Sequence, residues 1–142
     1  MTGDDGFVFA ATGAAYVALA RRAARNLRGV MPVAQIDLFA DRPLEDPVFD
    51  RVHALDHRGT RPKMEALRES RFARTVYLDC DVVAVADVSD MFALLHRADI
   101  IGTHEMYGAS PMATHDLADI PVAFRQINGG VIGLRKSPET AA

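Results

Sequence analysis

The sequence predicts an α/β fold in which a mainly parallel sheet carries helices on both faces. Short apolar runs rich in β-branched and aromatic residues alternate with segments rich in Ala, Leu and Arg, as in βαβ units. The chain has 142 residues, enough for a substantial core, so we expect residues 1–142 to form a single domain. Hydrophobic residues make up 49% of the chain and charged residues 25%, the balance of a soluble globular protein.

The first half of the chain predicts two strands around a helix and then a third, short strand. Phe7–Ala11 is an apolar run bounded by turn formers, which favours a strand. The segment 14–27 is rich in residues that favour helices, and Gly29 stands where a C′ glycine would end the helix. Val33–Ala40 predicts the second strand, because turn formers follow it, and Val52–Leu55 predicts the third.

The second half continues this alternation. Thr60 stands in an N-cap position, and the proline two residues later suits the first turn of a helix that runs to about Phe72. Ser89 likewise stands as the N-cap of a short helix over 90–96. Apolar runs predict strands over 75–83, 99–103 and 127–134, and the Gly-, Pro- and polar-rich segment 104–125 predicts a long loop of the kind that is often functional.

Two aspartates interrupt the apolar run 75–83. Carboxylates are rarely buried in a strand unless they are paired or bind a metal. Residues i and i+2 of a strand share a face, so we expect Asp79 and Asp81 to point together and Cys80, a small packing residue, to point away. Two convergent carboxylates suit Mn²⁺ or Mg²⁺, which prefer oxygen ligands and often share them with substrate phosphates. The alternative is a turn in which both aspartates bond to local backbone amides.

Other candidate residues stand at the predicted carboxyl end of the sheet, where parallel sheets bind ligands. Thr12 and Gly13 lie between the first strand and its helix, and Tyr16, one turn further, is placed to stack on a base. The alternative is a plain turn with a half-buried tyrosine. Lys63 lies early in the second helix, where its charge opposes the helix dipole; pairing with a phosphate and a solvated surface position are the two alternatives.

The last predicted strand contains Asn128-Gly129-Gly130. Paired glycines permit a close backbone approach, and the Asn128 amide can bond to hydroxyl groups, although a β-bulge is the alternative. His104 and Glu105 follow the strand 99–103 at its carboxyl end, where they either line the same cleft or are simply solvated, the commoner case for such residues.

Charge, cysteine content and hydropathy exclude several classes of protein. A formal net charge of -3 gives no electrostatic case for nucleic acid or an anionic membrane. A single cysteine excludes an internal disulfide framework and favours a reducing compartment. The apolar stretch 7–20 is too short to be an integral membrane segment, and the acidic start does not fit a signal peptide. We therefore expect a cytoplasmic protein, and a homo-oligomer is left open.

Taken together, these residues resemble the nucleotide-diphospho-sugar transferases of the GT-A fold, most closely the glycogenin-like family 8 type. The resemblance spans about residues 7–138. It rests on four segments in order: Ala11-Thr12-Gly13 with Tyr16; Lys63; Tyr77-Leu78-Asp79-Cys80-Asp81 with Met91-Phe92 after it; and Asn128-Gly129-Gly130. In that family the chain continues well beyond Asn-x-Gly, with an Asp-Gln pair and a histidine metal ligand that have no counterpart here. A fragment, a minimal version or a subunit completed by another chain are the expectations this leaves open.

The resemblance implies a Rossmann-like sheet and a glycosyltransferase that binds Mn²⁺ or Mg²⁺ through Asp79 and Asp81. The implied donor is a nucleotide-diphosphate sugar, with a UDP-sugar favoured, and the acceptor is not indicated. The implied nucleotide-binding residues are Ala11, Thr12, Gly13, Tyr16, Lys63, Asp79, Cys80 and Asp81. The implied sugar-binding residues are Asn128, Gly129 and Gly130.

Two alternatives to a glycosyltransferase stay open. One is a phosphatase of the haloacid-dehalogenase type, in which Asp79 is the nucleophile and Asp81 the general acid/base. That motif normally begins its domain, whereas here it follows more than half of the chain and no Asp-Asp pair comes after it. The other is a non-catalytic nucleotide-sugar-binding module, which would bind the donor without transferring or hydrolysing it.

Overall fold

The computed structural model describes residues 3–56, 61–104 and 127–140 of the chain. Thr60, Glu105 and nearly all of the predicted loop 104–125 lie outside these ranges. The described elements, in chain order, are β1 (Asp5–Ala11), α1 (Gly13–Val30), β2 (Ile36–Ala40), β3 (Arg51–Ala54), α2 (Pro62–Glu69), β4 (Arg74–Leu78), α3 (Asp90–Leu94), β5 (Ile100–His104) and β6 (Ile127–Arg135). The predicted α/β fold is confirmed. None of the helices in the described ranges has the length and apolar character needed to cross a membrane.

The strands form one six-stranded sheet in the order β3-β2-β1-β4-β6-β5. β1 is parallel to β2 and β4, and β3 is parallel to β2. β6 is antiparallel to both of its neighbours, β4 and β5. Five strands therefore point the same way and β6 runs against them. This brings the carboxyl ends of β1 and β4 and the amino end of β6 to one edge of the sheet.

Both faces of the central strand β1 are covered, as expected for a largely parallel sheet. All of its residues are buried. On one face, Phe7 and Phe9 pack with α1 and α3, and the rings of Phe7 and Phe92 meet edge-on with their centroids 5.1 Å apart. On the other face, Val8 and Ala10 pack with α2. The predicted helices on both faces of the sheet are confirmed.

The predicted end of α1 is wrong. The helix continues through Gly29 to Val30, and the amide of the C-cap residue Met31 donates to the carbonyl of Leu27 at 2.8 Å. Leu27 and Met31 are both buried in the core. Tertiary packing of this apolar face therefore carries the helix past a residue that often ends one.

Two further boundaries also differ from the prediction. α2 ends at Glu69 rather than at Phe72, because Ser70 leaves the helical conformation and its Oγ accepts a hydrogen bond from the Phe72 amide at 3.3 Å. β2 begins at Ile36 rather than at Val33, which is exposed in the turn after α1.

Ser89 does not cap α3 through its side chain, so that prediction is wrong as well. Its backbone is already helical, with φ -60° and ψ -23°, whereas a capping residue usually has extended backbone. The Ser89 amide instead donates to Asp87 Oδ1 at 2.7 Å. The helix ends at Leu94, and the buried Leu95 follows it.

Candidate functional site

The edge where β1, β4 and β6 meet contains a cavity of about 400 Å³. The Asp79 amide donates to the carbonyl of Gly130 at 2.9 Å, so the two segments lie side by side although they are far apart in the sequence. The residues that line the cavity are Ala10, Thr12, Tyr16, Leu19, Pro62, Lys63, Tyr77, Asp79, Cys80 and Asp81. The topology therefore assembles most of the candidate residues that the sequence predicts.

Asp79, Cys80 and Asp81 lie in a turn and not in the strand. β4 ends at Leu78, and the Val82 amide donates to the Asp79 carbonyl at 3.1 Å. The predicted strand over 75–83 is thus too long. Because Cys80 lies beyond the strand, side-chain alternation does not turn it away from the two aspartates. All three residues line the cavity, because the chain turns at the sheet edge rather than continuing along it.

The two oxygens of Asp79 have different surroundings. Oδ1 accepts hydrogen bonds from the Tyr77 hydroxyl at 2.7 Å and from Lys63 Nζ at 3.2 Å. Oδ2 has no partner within the described residues, and the side chain is 35% exposed. Asp81 is exposed and likewise makes no hydrogen bond or ion pair in that part of the chain. The site therefore offers one anchored carboxylate and one free carboxylate.

The neighbours of Asp79 are held in their protonated forms. Burial raises the pKa of Tyr77 far above its usual range, and the hydrogen bond to Asp79 and the charge of Asp79 add to the effect. Tyr77 is therefore a hydroxyl donor to Asp79 at any physiological pH. Burial, with the charges of Asp79 and Asp81, raises the pKa of Cys80 to about 11. Its thiol lies 3.3 Å from the Ala10 carbonyl, so Cys80 is a buried packing residue and not an activated nucleophile.

Lys63 connects three elements of the site. It follows Pro62 in the first turn of α2, and its Nζ donates to the carbonyl of Gly129 at 2.9 Å as well as to Asp79 of the β4 turn. The ammonium also lies 5.3 Å from the centre of the Tyr77 ring. Lys63 is therefore no solvated surface residue, and it stands beside the carboxylate of Asp79.

The residues at the end of β1 and just after it divide into two groups. Thr12 and Tyr16 line the cavity, and Tyr16 is 58% exposed, so its ring is available for stacking. Ala11 is buried in the core on the α1 side. Gly13 has φ +82°, which favours glycine, and its amide donates to Asp41 Oδ2 at 2.8 Å. The structure thus places Ala11 and Gly13 in support of the turn, outside the cavity lining.

The glycines of β6 allow a close approach of three side chains. A side chain at Gly130 would place its Cβ 2.9 Å from Asn128 Oδ1 and 3.5 Å from Asp79 Oδ2, and one at Gly129 would lie 3.2 Å from Lys63 Nζ. Asn128 Oδ1 also accepts a hydrogen bond from the Gly130 amide at 2.7 Å. The pairing of β5 with β6 shifts register beside these glycines. The register shift and the close approach of the Lys63 and Asp79 side chains therefore occur at the same glycines, and the contact with hydroxyl groups stays a prediction.

Four residues that line the cavity are not among the site residues predicted from the sequence: Ala10, Leu19, Pro62 and Tyr77. Leu19 follows Tyr16 by one helical turn, and Tyr77 precedes Asp79 by two residues, so spacing from a predicted residue is the signal that points to them. His104 is exposed at the end of β5 and is not among the residues that line the cavity.

The residues present fit a hard divalent cation bound in part by other ligands. Within the described ranges, no group of three or more His, Cys, Asp or Glu side chains converges to hold a metal. Asp79 Oδ2 and the Asp81 carboxylate are the available donors, and both are oxygen ligands of the type that Mn²⁺ and Mg²⁺ prefer. Two carboxylates leave most of the coordination sphere to water and phosphate, which is how Mg²⁺ usually binds beside phosphates.

No protein-family profile matches the sequence, and no curated protein matches it. Solved structures do match the fold. The galactosyltransferase LgtC, in complex with donor and acceptor sugar analogues, superposes with a TM-score of 0.68 at 15% identity, over 92% of this chain and 57% of that one. The glycosyltransferase GlyE of Streptococcus pneumoniae gives a TM-score of 0.65 at 18% identity, over 92% of this chain and 33% of that one.

These similarities confirm the GT-A-like fold of the chain. The sheet of this chain is mixed, mostly parallel with one reversed strand. The chain spans little more than half the length of LgtC and a third of that of GlyE.

Proposed function

We propose that this chain is the donor-binding part of a glycosyltransferase that uses a nucleotide-diphosphate sugar and a divalent cation to glycosylate an acceptor. The observation that carries the proposal is the juxtaposition of Asp79, Asp81 and Lys63 in one cavity, at the edge where β1 and β4 end. Carboxylates that hold a cation and an ammonium that pairs with phosphate are together the chemistry needed to bind a diphosphate. The fold shared with LgtC and GlyE supports the sugar-transfer class.

In this proposal each part of the cavity contacts a different part of the donor. Asp79 and Asp81 hold Mn²⁺ or Mg²⁺ on the diphosphate, and Lys63 pairs with a phosphate oxygen. Thr12 bonds to the nucleoside, and the exposed ring of Tyr16 stacks on its base. The metal, when bound, acts as a Lewis acid that offsets the charge developing on the leaving nucleoside diphosphate.

The sugar is assigned to the amino end of β6. Asn128 and the backbone of Gly129 and Gly130 lie next to Asp79, where the diphosphate ends and the sugar begins. The carboxamide of Asn128 can donate to and accept from sugar hydroxyls. The resemblance to the family 8 type favours a UDP-sugar, and the cytoplasmic location stays a prediction from the sequence.

Calorimetric titration with UDP- and GDP-sugars, in Mn²⁺ and in chelator, tests this proposal. We expect binding that needs the metal in the wild type and is lost in the variant Asp79→Ala/Asp81→Ala. Asp87→Ala is the matched control, because Asp87 is an exposed aspartate of the same loop that bonds to Ser89 and does not line the cavity. A folded wild type that binds no nucleotide sugar would contradict the proposal.

The same samples separate the remaining alternatives. A donor-binding module would bind the nucleotide sugar with neither transfer to any acceptor nor slow hydrolysis of the donor. A phosphatase would hydrolyse simple phosphate esters such as p-nitrophenyl phosphate and form a phosphoaspartate on Asp79. Two donors already occupy one oxygen of Asp79, and no observation on the site favours that nucleophilic role.

A further inference from the structure

Asp79 Oδ1 accepts hydrogen bonds from a charged donor and from a neutral donor. The ammonium of Lys63 lies 3.2 Å away, and the hydroxyl of Tyr77 lies 2.7 Å away. Both donors fix the orientation of the carboxylate, but only Lys63 adds a positive charge beside it. We therefore expect Lys63 to weaken the binding of a metal ion to Asp79 and Tyr77 to strengthen it.

The Lys63–Asp79 contact is a poor candidate for a purely structural ion pair. The two side chains are 28% and 35% exposed, and ion pairs with that much exposure stabilise folded proteins little. The charge also stands in the first turn of α2, where it opposes the helix dipole. Instead, the Gly129 carbonyl holds the ammonium at 2.9 Å, and a side chain at Gly129 would approach it to 3.2 Å. The glycine backbone thus keeps the ammonium within the cavity.

We propose that Lys63 is an internal counter-cation of Asp79 that makes metal binding depend on the diphosphate. The inference rests on the function proposed above. A positive charge close to the metal-binding carboxylate repels a divalent cation that arrives alone. The same charge attracts the two phosphates, so it favours the metal and the nucleotide when they bind together. Because binding linkage is reciprocal, Lys63 raises the cooperativity between the two ligands.

The test is Lys63→Met, which keeps an unbranched side chain of nearly the same length and removes the charge. Calorimetry measures the affinity for Mn²⁺ alone, and then the affinity for UDP at saturating Mn²⁺. We expect the affinity for Mn²⁺ alone to rise about two- to fivefold, as for the loss of a partly exposed charge interaction. We expect the affinity for UDP to fall about tenfold or more, as for the loss of a charge-assisted hydrogen bond.

Tyr77→Phe is the matched control, because it removes the neutral donor to the same oxygen. We expect it to weaken Mn²⁺ binding about two- to tenfold, since Asp79 loses orientation without any change of charge. Lys63→Arg keeps the charge, so its affinity for Mn²⁺ alone should not rise as that of Lys63→Met does. Thermal unfolding verifies that each variant is folded, and Lys63→Gln, which keeps a donor for the Gly129 carbonyl, should change Mn²⁺ affinity in the same direction as Lys63→Met.

The sign of the change in Mn²⁺ affinity decides the inference. If Lys63→Met and Lys63→Gln weaken Mn²⁺ binding, as Tyr77→Phe does, Lys63 only positions Asp79 and the inference is overturned while the proposed function stands. If the folded wild type binds neither Mn²⁺ nor UDP, the proposed function fails as well.

Discussion

Asp37 lies in β2 and Asp79 directly follows β4; both lie near a basic side chain, yet their surroundings differ. The side chain of Asp37, in β2, is 1% exposed. Arg71 donates to both of its oxygens, at 2.8 and 3.1 Å, and His53 Nε2 lies 2.8 Å from Oδ2. Asp79 is 35% exposed, and its partners among the described residues bond to Oδ1 alone.

The difference separates an aspartate that holds the fold together from one that can bind a ligand. Around Asp37, the ring of His53 stacks on Phe39 with centroids 4.6 Å apart, so the polar group is enclosed and satisfied. A buried carboxylate with both oxygens bonded has nothing left for a metal or a substrate. Asp79 keeps Oδ2 for a further partner and faces a cavity, and this free oxygen identifies the candidate site.

The largest expected effect is the loss of stability on replacing Asp37. Asp37→Asn leaves the guanidinium of Arg71 without its bidentate partner, and we expect the free energy of unfolding to fall by about 2–4 kcal/mol. Chemical denaturation measures it. The matched control Asp99→Asn, at an ion pair whose two side chains are each 36% exposed, should lose less than about 1 kcal/mol. Equal losses in both variants would contradict the structural role given to Asp37.

The second effect is on binding at Asp79. Asp79→Asn removes the charge on the anchored carboxylate, and we expect metal-dependent binding of a nucleotide sugar to fall about 100-fold, with little change in stability. Calorimetry and thermal unfolding of the same sample separate the two quantities. The structural role of Asp37 and the binding role of Asp79 are contradicted if Asp79→Asn unfolds the chain while Asp37→Asn does not.

A smaller effect is expected at the glycines beside Asp79. In Gly130→Ala the new Cβ would lie 2.9 Å from Asn128 Oδ1, so the Asn128 side chain must shift and lose its 2.7 Å bond from the residue 130 amide. We expect nucleotide-sugar affinity to fall about tenfold while UDP affinity changes less. Gly29→Ala is the control, since among the described residues a Cβ there would meet no atom within 4 Å beyond its chain neighbours and its own helix backbone, and alanine favours the helix. An unchanged affinity for the nucleotide sugar in Gly130→Ala would show that β6 does not bind the sugar.

The smallest effect concerns the titration of Cys80. Its pKa of about 11 means that the folded protein favours the protonated thiol more than the unfolded chain does. The stability that comes from this preference is fully present below the unfolded-state pKa near 9 and is lost as pH rises through 11. Labelling with iodoacetamide should therefore stay slow until strongly alkaline pH. Asp79→Asn should lower the pKa of Cys80, because one of the two nearby charges is removed, whereas Asp37→Asn should leave it unchanged. Equal labelling profiles in all three proteins would show that burial alone sets this pKa.

Much of the fold follows from local patterns, because apolar period and composition reflect burial directly. The runs 7–11 and 127–134 lie in β1 and β6, and the Ala-rich segment lies in α1. The errors fall where tertiary contacts override local preference. Gly29 is helical because buried neighbours hold the turn, and the run 75–83 leaves the sheet at Leu78 although apolar residues return at Val82 and Val83.

The sequence by itself determined the residue types of the site: two aspartates after an apolar run, an early helical lysine, and an Asn-Gly-Gly segment. These residues are recognisable because each conflicts with the local structure around it, and such conflicts often mark function. Only the tertiary structure decided that β6 runs antiparallel beside β4, which brings Gly129 and Gly130 to Lys63 and Asp79. Strand order and direction depend on contacts between residues far apart in the chain, and no local pattern encodes them. The same contacts decide which oxygen of Asp79 is occupied and which is free.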